Sequence, residues 1–321
     1  MRLAYGAVQR RRSLDHLIDA RLDRPERVED TVRDILRLGA YELTFSDGTP
    51  DHAVVDQAAL AARAIPGPGA RRSARAGLVN AVLRRLSEGA GLQELDGEDD
   101  AVRHSFPDWI AAGLRDSLGD EAAGVMAAAN EPAESALRWN PLRGTREQVE
   151  SSLPEGWSAG ALAPESYVYP GAFDLEGSDL WEAGWAMAQS RASQLVAHAV
   201  APKPGERILD LCAAPGAKTS HLAALVGNAA SLTAVELHES RAAGLRELLS
   251  RMGAEAQVIC GDAREVDLDG GYDAVLLDPP CTGTGVLSAR PDARWRRREE
   301  SLAGLVALQS ALLERALTLV V

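Results

Sequence analysis

Four places in the sequence combine residue types that could do chemistry, and each follows a short apolar run. They are Asp210-Leu211-Cys212-Ala213-Ala214-Pro215-Gly216-Ala217-Lys218-Thr219, Glu236, Gly261-Asp262 and Asp278-Pro279-Pro280-Cys281. The apolar runs read as buried strands, and in an open α/β sheet ligands bind beyond the carboxyl ends of the strands. The first segment is a loop of small residues, which lets a ligand approach the backbone at a helix N-terminus. Glu236, twenty residues after Gly216, offers a carboxylate to ribose hydroxyls. Together the four strand ends describe a nucleoside pocket.

The loop narrows the choice of nucleoside. A dinucleotide site calls for Gly-x-Gly-x-x-Gly, and this loop has Gly216 alone, with Pro215 before it. A phosphate-binding loop needs two glycines ahead of Lys-Ser/Thr, and the run ending Gly216-Ala217-Lys218-Thr219 has one. S-adenosylmethionine, an adenosine without a phosphate tail, fits better than either. Taken alone, the loop also fits an ordinary turn between strand and helix. The two prolines of Asp278-Pro279-Pro280-Cys281 lack N–H donors and hold the chain extended, so Asp278 and Cys281 project from the strand end. Elsewhere Cys281 would read as a buried, inert thiol. Beside such a pocket it suggests attack on a pyrimidine. Carbon 5 of cytosine is a poor nucleophile until a thiolate adds at carbon 6; the enamine takes the methyl group, a base removes the carbon-5 proton and the thiol is expelled.

These residues need a scaffold, and the pattern after about Ser190 supplies one. Strands are predicted at 207–211, 232–235, 257–260 and 272–277, with helices at 218–226, 240–252 and 302–313. Such alternation implies parallel βαβ units in a doubly wound α/β sheet. From residue 1 to about 89 the apolar positions recur at three and four, as in Leu14, Leu17 and Ile18, which predicts an all-helical bundle. Residues 91–100 are acidic and read as an exposed connection. Residues 104–184 mix Ala-rich helical stretches with Pro and Gly and with β-prone pieces such as Tyr167-Val168-Tyr169, a small α+β segment. The expected division is 1–100 helical, 101–185 connecting and 186–321 Rossmann-like.

Composition sets outer limits. The chain has 321 residues, 46% hydrophobic and 25% charged, with a formal net charge of −13, so a folded protein of two or three domains is expected. Three cysteines cannot form a fully paired disulfide framework, and a reducing cytoplasm is the expectation. No apolar run reads as long enough for a membrane span. Net acidity argues weakly against nucleic acid, because phosphates require clustered Lys or Arg. Arginines do cluster at 10–12, at 71, 72 and 75, and from Arg290 to Arg298. The six histidines show no metal-ligand spacing, so no metal is expected. Trp139 reads as a core or interface aromatic, with base stacking as its alternative.

Leu209 to Thr219, with Asp278-Pro279-Pro280-Cys281-Thr282-Gly283-Thr284-Gly285 and Arg290-Pro291-Asp292-Ala293-Arg294-Trp295, resembles the RNA 5-methylcytosine methyltransferase family. Ala4-Tyr5-Gly6, Leu38-Gly39-Ala40-Tyr41-Glu42-Leu43, Pro50 to Asp56 and Val79 to Arg85 resemble a NusB-like helical domain. Within the family that domain marks the branch acting on small-subunit (16S) ribosomal RNA. Leu137 to Arg143 resembles the connecting RNA-binding segment, so the likeness spans nearly the whole chain. It implies a Rossmann-like S-adenosylmethionine-dependent methyltransferase, cytoplasmic and monomeric, with ribosomal RNA as partner and neither membrane nor metal.

By the same resemblance, Cys212, Ala213, Ala214, Pro215, Gly216, Ala217 and Lys218 line the methionine portion and ribose, with Glu236 on the ribose hydroxyls. Asp262 lies near adenine, and Asp278 between cofactor and cytosine. Cys281 assists product release. The family's nucleophile is another cysteine, in a Thr-Cys-Ser motif on the strand after the next helix. That strand is expected to start at residues 317–321, so the motif is expected beyond Val321, Met1 looks late for the helical domain, and the chain as given is expected to be inactive. Ala217 stands where the family commonly has a second Gly, and Ser190 where it commonly has Asp. RNA contacts are expected at Arg138, Asn140, Arg290, Arg294 and Arg296. The other readings are a non-catalytic RNA-binding or assembly protein with a methyltransferase remnant, and a tRNA-directed member of the family.

Overall fold

The computed structural model describes residues 2–89 and 91–321; Met1, the expected start of the helical domain, lies outside them. Helices α1 (Arg2–Gln9), α2 (Arg11–Asp19), α3 (Asp30–Phe45), α4 (Asp51–Ala64) and α5 (Gly69–Ser87) come first. Spacing by three and four turns one stripe of each helix inward, and Leu14, Leu17, Leu36, Val55, Val82 and Leu83 share one buried cluster. Gly6 belongs to the sequence pattern for a steric reason. A Cβ there would stand 2.0 Å from the Tyr41 ring, so α1 and α3 meet where only hydrogen fits.

The chain continues through α6 (Asp100–Arg103), α7 (Asp108–Leu118) and α8 (Ala122–Ala128). These helices do not begin a second domain at residue 101. The buried Ser13 hydroxyl donates to Val102 O at 2.6 Å. Arg12 donates its amide to Ser105 Oγ at 2.9 Å and its guanidinium to Phe106 O at 2.8 Å. The first compact unit accordingly comprises Met1–Glu131 together with Gly283–Glu299.

The second unit comprises Pro132–Thr282 and Glu300–Val321. It opens with β1 (Ser135–Trp139), α9 (Arg146–Ser152), β2 (Ser158–Ala159), β3 (Ser166–Tyr169), α10 (Asp179–Glu182) and β4 (Ala186–Ala188). The strands form an antiparallel sheet in the order β2-β3-β1-β4. Then follow α11 (Arg191–Val200), β5 (Arg207–Asp210), α12 (Ala217–Leu225), β6 (Ser231–Glu236), α13 (Glu239–Met252), β7 (Gln257–Cys260) and β8 (Ala274–Leu276). This sheet is parallel throughout, in the order β7-β6-β5-β8. After Thr282 the chain contributes α14 (Ala293–Arg296) to the first unit and returns with α15 (Ser301–Leu319). One cluster joins Ile208, Leu232 and Ala234 to Leu222 and Leu245 of α12 and α13, and another joins Leu209 and Val235 to Leu312 and Ala316 of α15. Helices cover both faces, as parallel strands require.

Two expectations change here. Residues 317–319 finish α15 rather than starting a strand, because Ala316 and Leu319 pack on the sheet; the chain then pairs through a bridge of Val320 to Tyr272, whose amide donates to Leu319 O at 2.9 Å and whose carbonyl accepts from Val321 N at 3.0 Å. By length and composition alone α15 is also apolar enough to cross a membrane, contrary to the expectation that no apolar run is long enough. Its Leu312, Ala316 and Leu319 are nevertheless buried against the parallel sheet.

Candidate active site

The carboxyl ends of β5, β6, β7 and β8 surround a cavity of about 420 Å³. Cys212, Ala214, Glu236, Asp262, Asp278, Pro280 and Cys281 stand in its wall. A larger hollow of about 590 Å³ lies at the opposite strand ends, beside Ser231 and Gln257, but Glu255 is its lone carboxylate. The converging groups are in the smaller one.

Each wall residue has a local cause. At the end of β5 the chain turns through Gly216, whose φ of +108° suits glycine, into α12. Leu211 N donates to Leu276 O and Ala213 N to Val235 O, both at 3.0 Å, so the loop is pinned to both neighbouring strands. Asp210 is buried and accepts from Thr219 Oγ1 at 2.7 Å. Burial pushes its carboxyl up to about 6 despite that bond. Burial, then the charges of Asp210, Glu236 and Asp278, push the Cys212 thiol up to about 11. It stays protonated at neutral pH, which is wrong for a nucleophile.

Glu236 is 4% exposed and accepts from His238 N at 3.0 Å, with Arg241 Nη1 at 3.3 Å. Arg241 also donates to Ala214 O at 3.0 Å, bridging the ends of β5 and β6. Asp262 accepts from the Arg264 backbone at 3.0 Å and from its Nε at 2.9 Å. The guanidinium, first through its hydrogen bonds, holds Asp262 down at about 2. Lys218 Nζ lies 2.5 Å from Asp278 Oδ2, and Gln309 of α15 donates to Pro280 O at 2.8 Å. The Asp-Pro-Pro-Cys turn is thus held from two sides, with Cys281 exposed beside the cavity.

Of the expected cofactor residues, Cys212, Ala214, Glu236, Asp262 and Asp278 border the cavity, whereas Ala213, Pro215, Gly216, Ala217 and Lys218 support the loop from outside the wall. Leu237, Arg241, Leu308 and Leu312 also line it and were missed. Arg241 could have been suspected from its place one turn into the helix after Glu236. Leu308 and Leu312 could not, since only the tertiary fold brings α15 over the strand ends.

Three expected RNA contacts are internal. Arg138 is wholly buried; its Nε donates to Gln189 Oε1 at 2.8 Å and its Nη2 to Ser220 Oγ at 3.0 Å. Burial lowers it to about 9. Asn140 is equally buried, donating to Gly184 O and Met252 O at 2.8 and 2.7 Å. Arg294 is fully buried in the first unit, donating to Ser105 O at 3.0 Å and Asn130 Oδ1 at 3.1 Å. All three brace the fold. Arg290 and Arg296 are exposed, Arg296 with an ion pair to Asp292. Trp139 donates to Gly144 O at 2.7 Å and packs in the antiparallel-sheet cluster. Ser190, in place of the family's usual Asp, caps α11, accepting from Ser193 N at 3.3 Å.

The histidine reading also changes. His198 and His221 both meet Glu165 Oε1, at 2.7 and 2.5 Å. The three ligand atoms lie within 4.8 Å of one another, close enough to hold a metal ion. Spacing along the chain hid this because the residues come from a loop and two helices. Burial depresses His221 to about 4; at Glu165 burial pushes the other way but is outweighed by hydrogen bonds from His221, the backbone and His198 together, which bring the carboxyl down to about 2. An uncharged His221 therefore meets an ionised Glu165, whose charge is also felt by buried Arg138.

The cavity residues fit S-adenosylmethionine. Buried Glu236 suits vicinal ribose hydroxyls, Leu237, Leu308 and Leu312 suit a flat base, and the carboxylates suit a sulfonium cation. A parallel sheet with this site at its carboxyl ends defines a Rossmann-like S-adenosylmethionine-dependent methyltransferase, here preceded by a helical unit.

Comparison with known proteins agrees. Residues 197–321 match the family described as 16S rRNA methyltransferase RsmB/F, and residues 1–88 match the NusB family. Ribosomal RNA small subunit methyltransferase B of Vibrio cholerae is 32% identical over 97% of this chain and 72% of its own length. The protein of that name from Pseudomonas putida is 33% identical over 97% and 72%. The solved structure of PH0851 superposes with a TM-score of 0.77 at 26% identity, covering 98% of this chain and 73% of its own. NSun6 from Pyrococcus horikoshii, solved with SFG, has a TM-score of 0.62 at 19% identity over 68% and 81% of the two chains, a likeness of fold. The chain belongs to the ribosomal RNA small subunit methyltransferase B family.

Proposed function

We propose that the protein transfers a methyl group to carbon 5 of a cytosine in small-subunit ribosomal RNA. The observation that carries this reading is the meeting of the Asp278-Pro279-Pro280-Cys281 turn and the carboxylates Glu236 and Asp262 at one cavity. S-adenosylmethionine, when bound, supplies an electrophilic methyl group. Glu236 holds the ribose hydroxyls and Asp262 faces the adenine. Asp278, fixed by Lys218, orients the cytosine ring. A thiolate adds to carbon 6 and makes carbon 5 nucleophilic; after methyl transfer a base takes the carbon-5 proton and the thiolate leaves. The protonated thiol of Cys212 does not suit that thiolate role. The family resemblance gives it to a further cysteine and leaves product release to Cys281.

The test incubates the protein with labelled S-adenosylmethionine and unmethylated small-subunit RNA. Nucleoside digestion should yield 5-methylcytidine, and label on an amino group or on protein contradicts the proposal. Cys281→Ser should let a covalent protein–RNA adduct accumulate. Loss of adduct and methylation together would instead make Cys281 the nucleophile.

A further inference from the structure

Two basic runs lying near opposite ends of the sequence come together in the helical unit. Arg11 and Arg12 at the start of α2, and Arg297 just after α14, line one hollow of about 400 Å³ with Trp109 and Trp295. Arg11 and Arg297 are exposed. The Arg11 guanidinium lies 5.5 Å from the centre of the Trp295 ring, within reach of a cation–π contact. Trp295 is held in place, since its Nε1 donates to Val8 O at 2.6 Å. On the side of Ala4, Ala7 and Leu38 the same ring borders a second hollow of about 380 Å³.

The segment presenting Trp295 and Arg297 is anchored by its neighbour. Arg294 lies over the Phe106 ring at 4.2 Å and donates to oxygens of residues 105 and 130. No carboxylate is among those acceptors, so its buried charge is balanced by oxygen dipoles alone. The acidic member of the hollow, Asp15, is already engaged by Arg37 at 2.7 and 2.8 Å. Exposed guanidinium groups around a fixed, partly exposed indole are the pairing that takes phosphodiesters and a stacked base together. On a chain with a formal net charge of −13, this patch has the opposite sign to the whole.

We propose that this hollow binds single-stranded RNA, with a base stacked on Trp295 and adjoining phosphates on Arg11 and Arg297. The site deepens the proposed function and rests on its RNA substrate. It is tested by fluorescence anisotropy of a labelled single-stranded RNA dodecamer over a range of salt concentrations, with S-adenosylmethionine titrated in parallel. Arg11→Glu combined with Arg297→Glu should weaken RNA binding at least tenfold. It should also flatten the log–log salt slope by about 1.4, at roughly 0.7 per lost phosphate contact on a single strand. Cofactor affinity should stay unchanged. Trp295→Leu should weaken binding several-fold with the slope preserved. Unaltered affinity and slope in the doubly reversed variant would overturn the site while leaving the RNA substrate standing. Absence of RNA binding by the unmodified chain would overturn both, and equal affinity for duplex RNA would overturn the stacked base.

Discussion

The first turn and a half of α12 serves two charged clusters of opposite character. Lys218 reaches Asp278 at the cavity and Thr219 braces the buried Asp210 beneath it, while Ser220 and His221 meet Arg138 and Glu165 in the interior. The residue types are nearly the same on both sides. In the interior cluster the charged groups spend their hydrogen bonds on protein partners, and Arg138 and His221 are almost fully buried. At the cavity, Asp278 and Cys281 remain exposed after their protein contacts are made. Perturbed ionisation therefore does not separate the working cluster from the supporting one, since His221 in the interior and Cys212 in the cavity wall are both strongly shifted. An open face toward a cavity does.

If the interior cluster is structural, breaking it should cost stability before anything else. Arg138→Ala strands Gln189 and Ser220 without their buried partner and removes the positive charge that Glu165 feels, so denaturant unfolding should show a loss of about 3–5 kcal/mol. A loss below about 1 kcal/mol would remove the distinction between the two sides.

Acidification should weaken the interior cluster next. His221 titrates near 4 in the fold against 6.5 in an unfolded chain, so between those values the unfolded state binds more protons and stability falls as pH drops. Integrated over the window this is about 3 kcal/mol. Asp210, raised to about 6 from 3.8, works in the opposite direction, gaining stability as pH falls through its own window. His221→Gln should therefore flatten or reverse the decline between pH 6.5 and 4 in pH-dependent unfolding. An unchanged slope would show that His221 is not the group responsible.

The smallest effect belongs to an exposed pair. Arg191 and Glu134 lie 2.6 Å apart with each side chain about two-fifths exposed. Arg191→Ala should change unfolding free energy by about 0–1 kcal/mol; a larger loss would mean that burial is not what sets the scale.

The cavity side was the more legible in the sequence. Gly216, the strand-end acids and the Asp-Pro-Pro-Cys turn lie within a few residues of strands whose apolar runs announce them, so spacing along the chain reports position in space. The interior side was not legible, because Arg138, Glu165, His198 and His221 come from four separate elements. An arginine in the sequence carries no sign of whether it will face RNA or be buried, which is why Arg138 and Arg294 were misplaced. The domain boundary failed for a similar reason. Residues 101–131 are short helices held to α2 by side-chain bonds from Ser13 and Arg12, and no periodicity encodes such bonds.

Calorimetric titration of S-adenosylmethionine into the chain and into Glu236→Ala tests the central claim most directly. Glu236 should supply the ribose hydrogen bonds, and losing a bond to a charged group costs about 1.5–3 kcal/mol. Saturable binding at one site, weakened by roughly ten- to a hundred-fold in the variant with its melting temperature little changed, is the predicted result. Equal affinity in both proteins would contradict the placement of the cofactor at the carboxyl ends of β5 to β8.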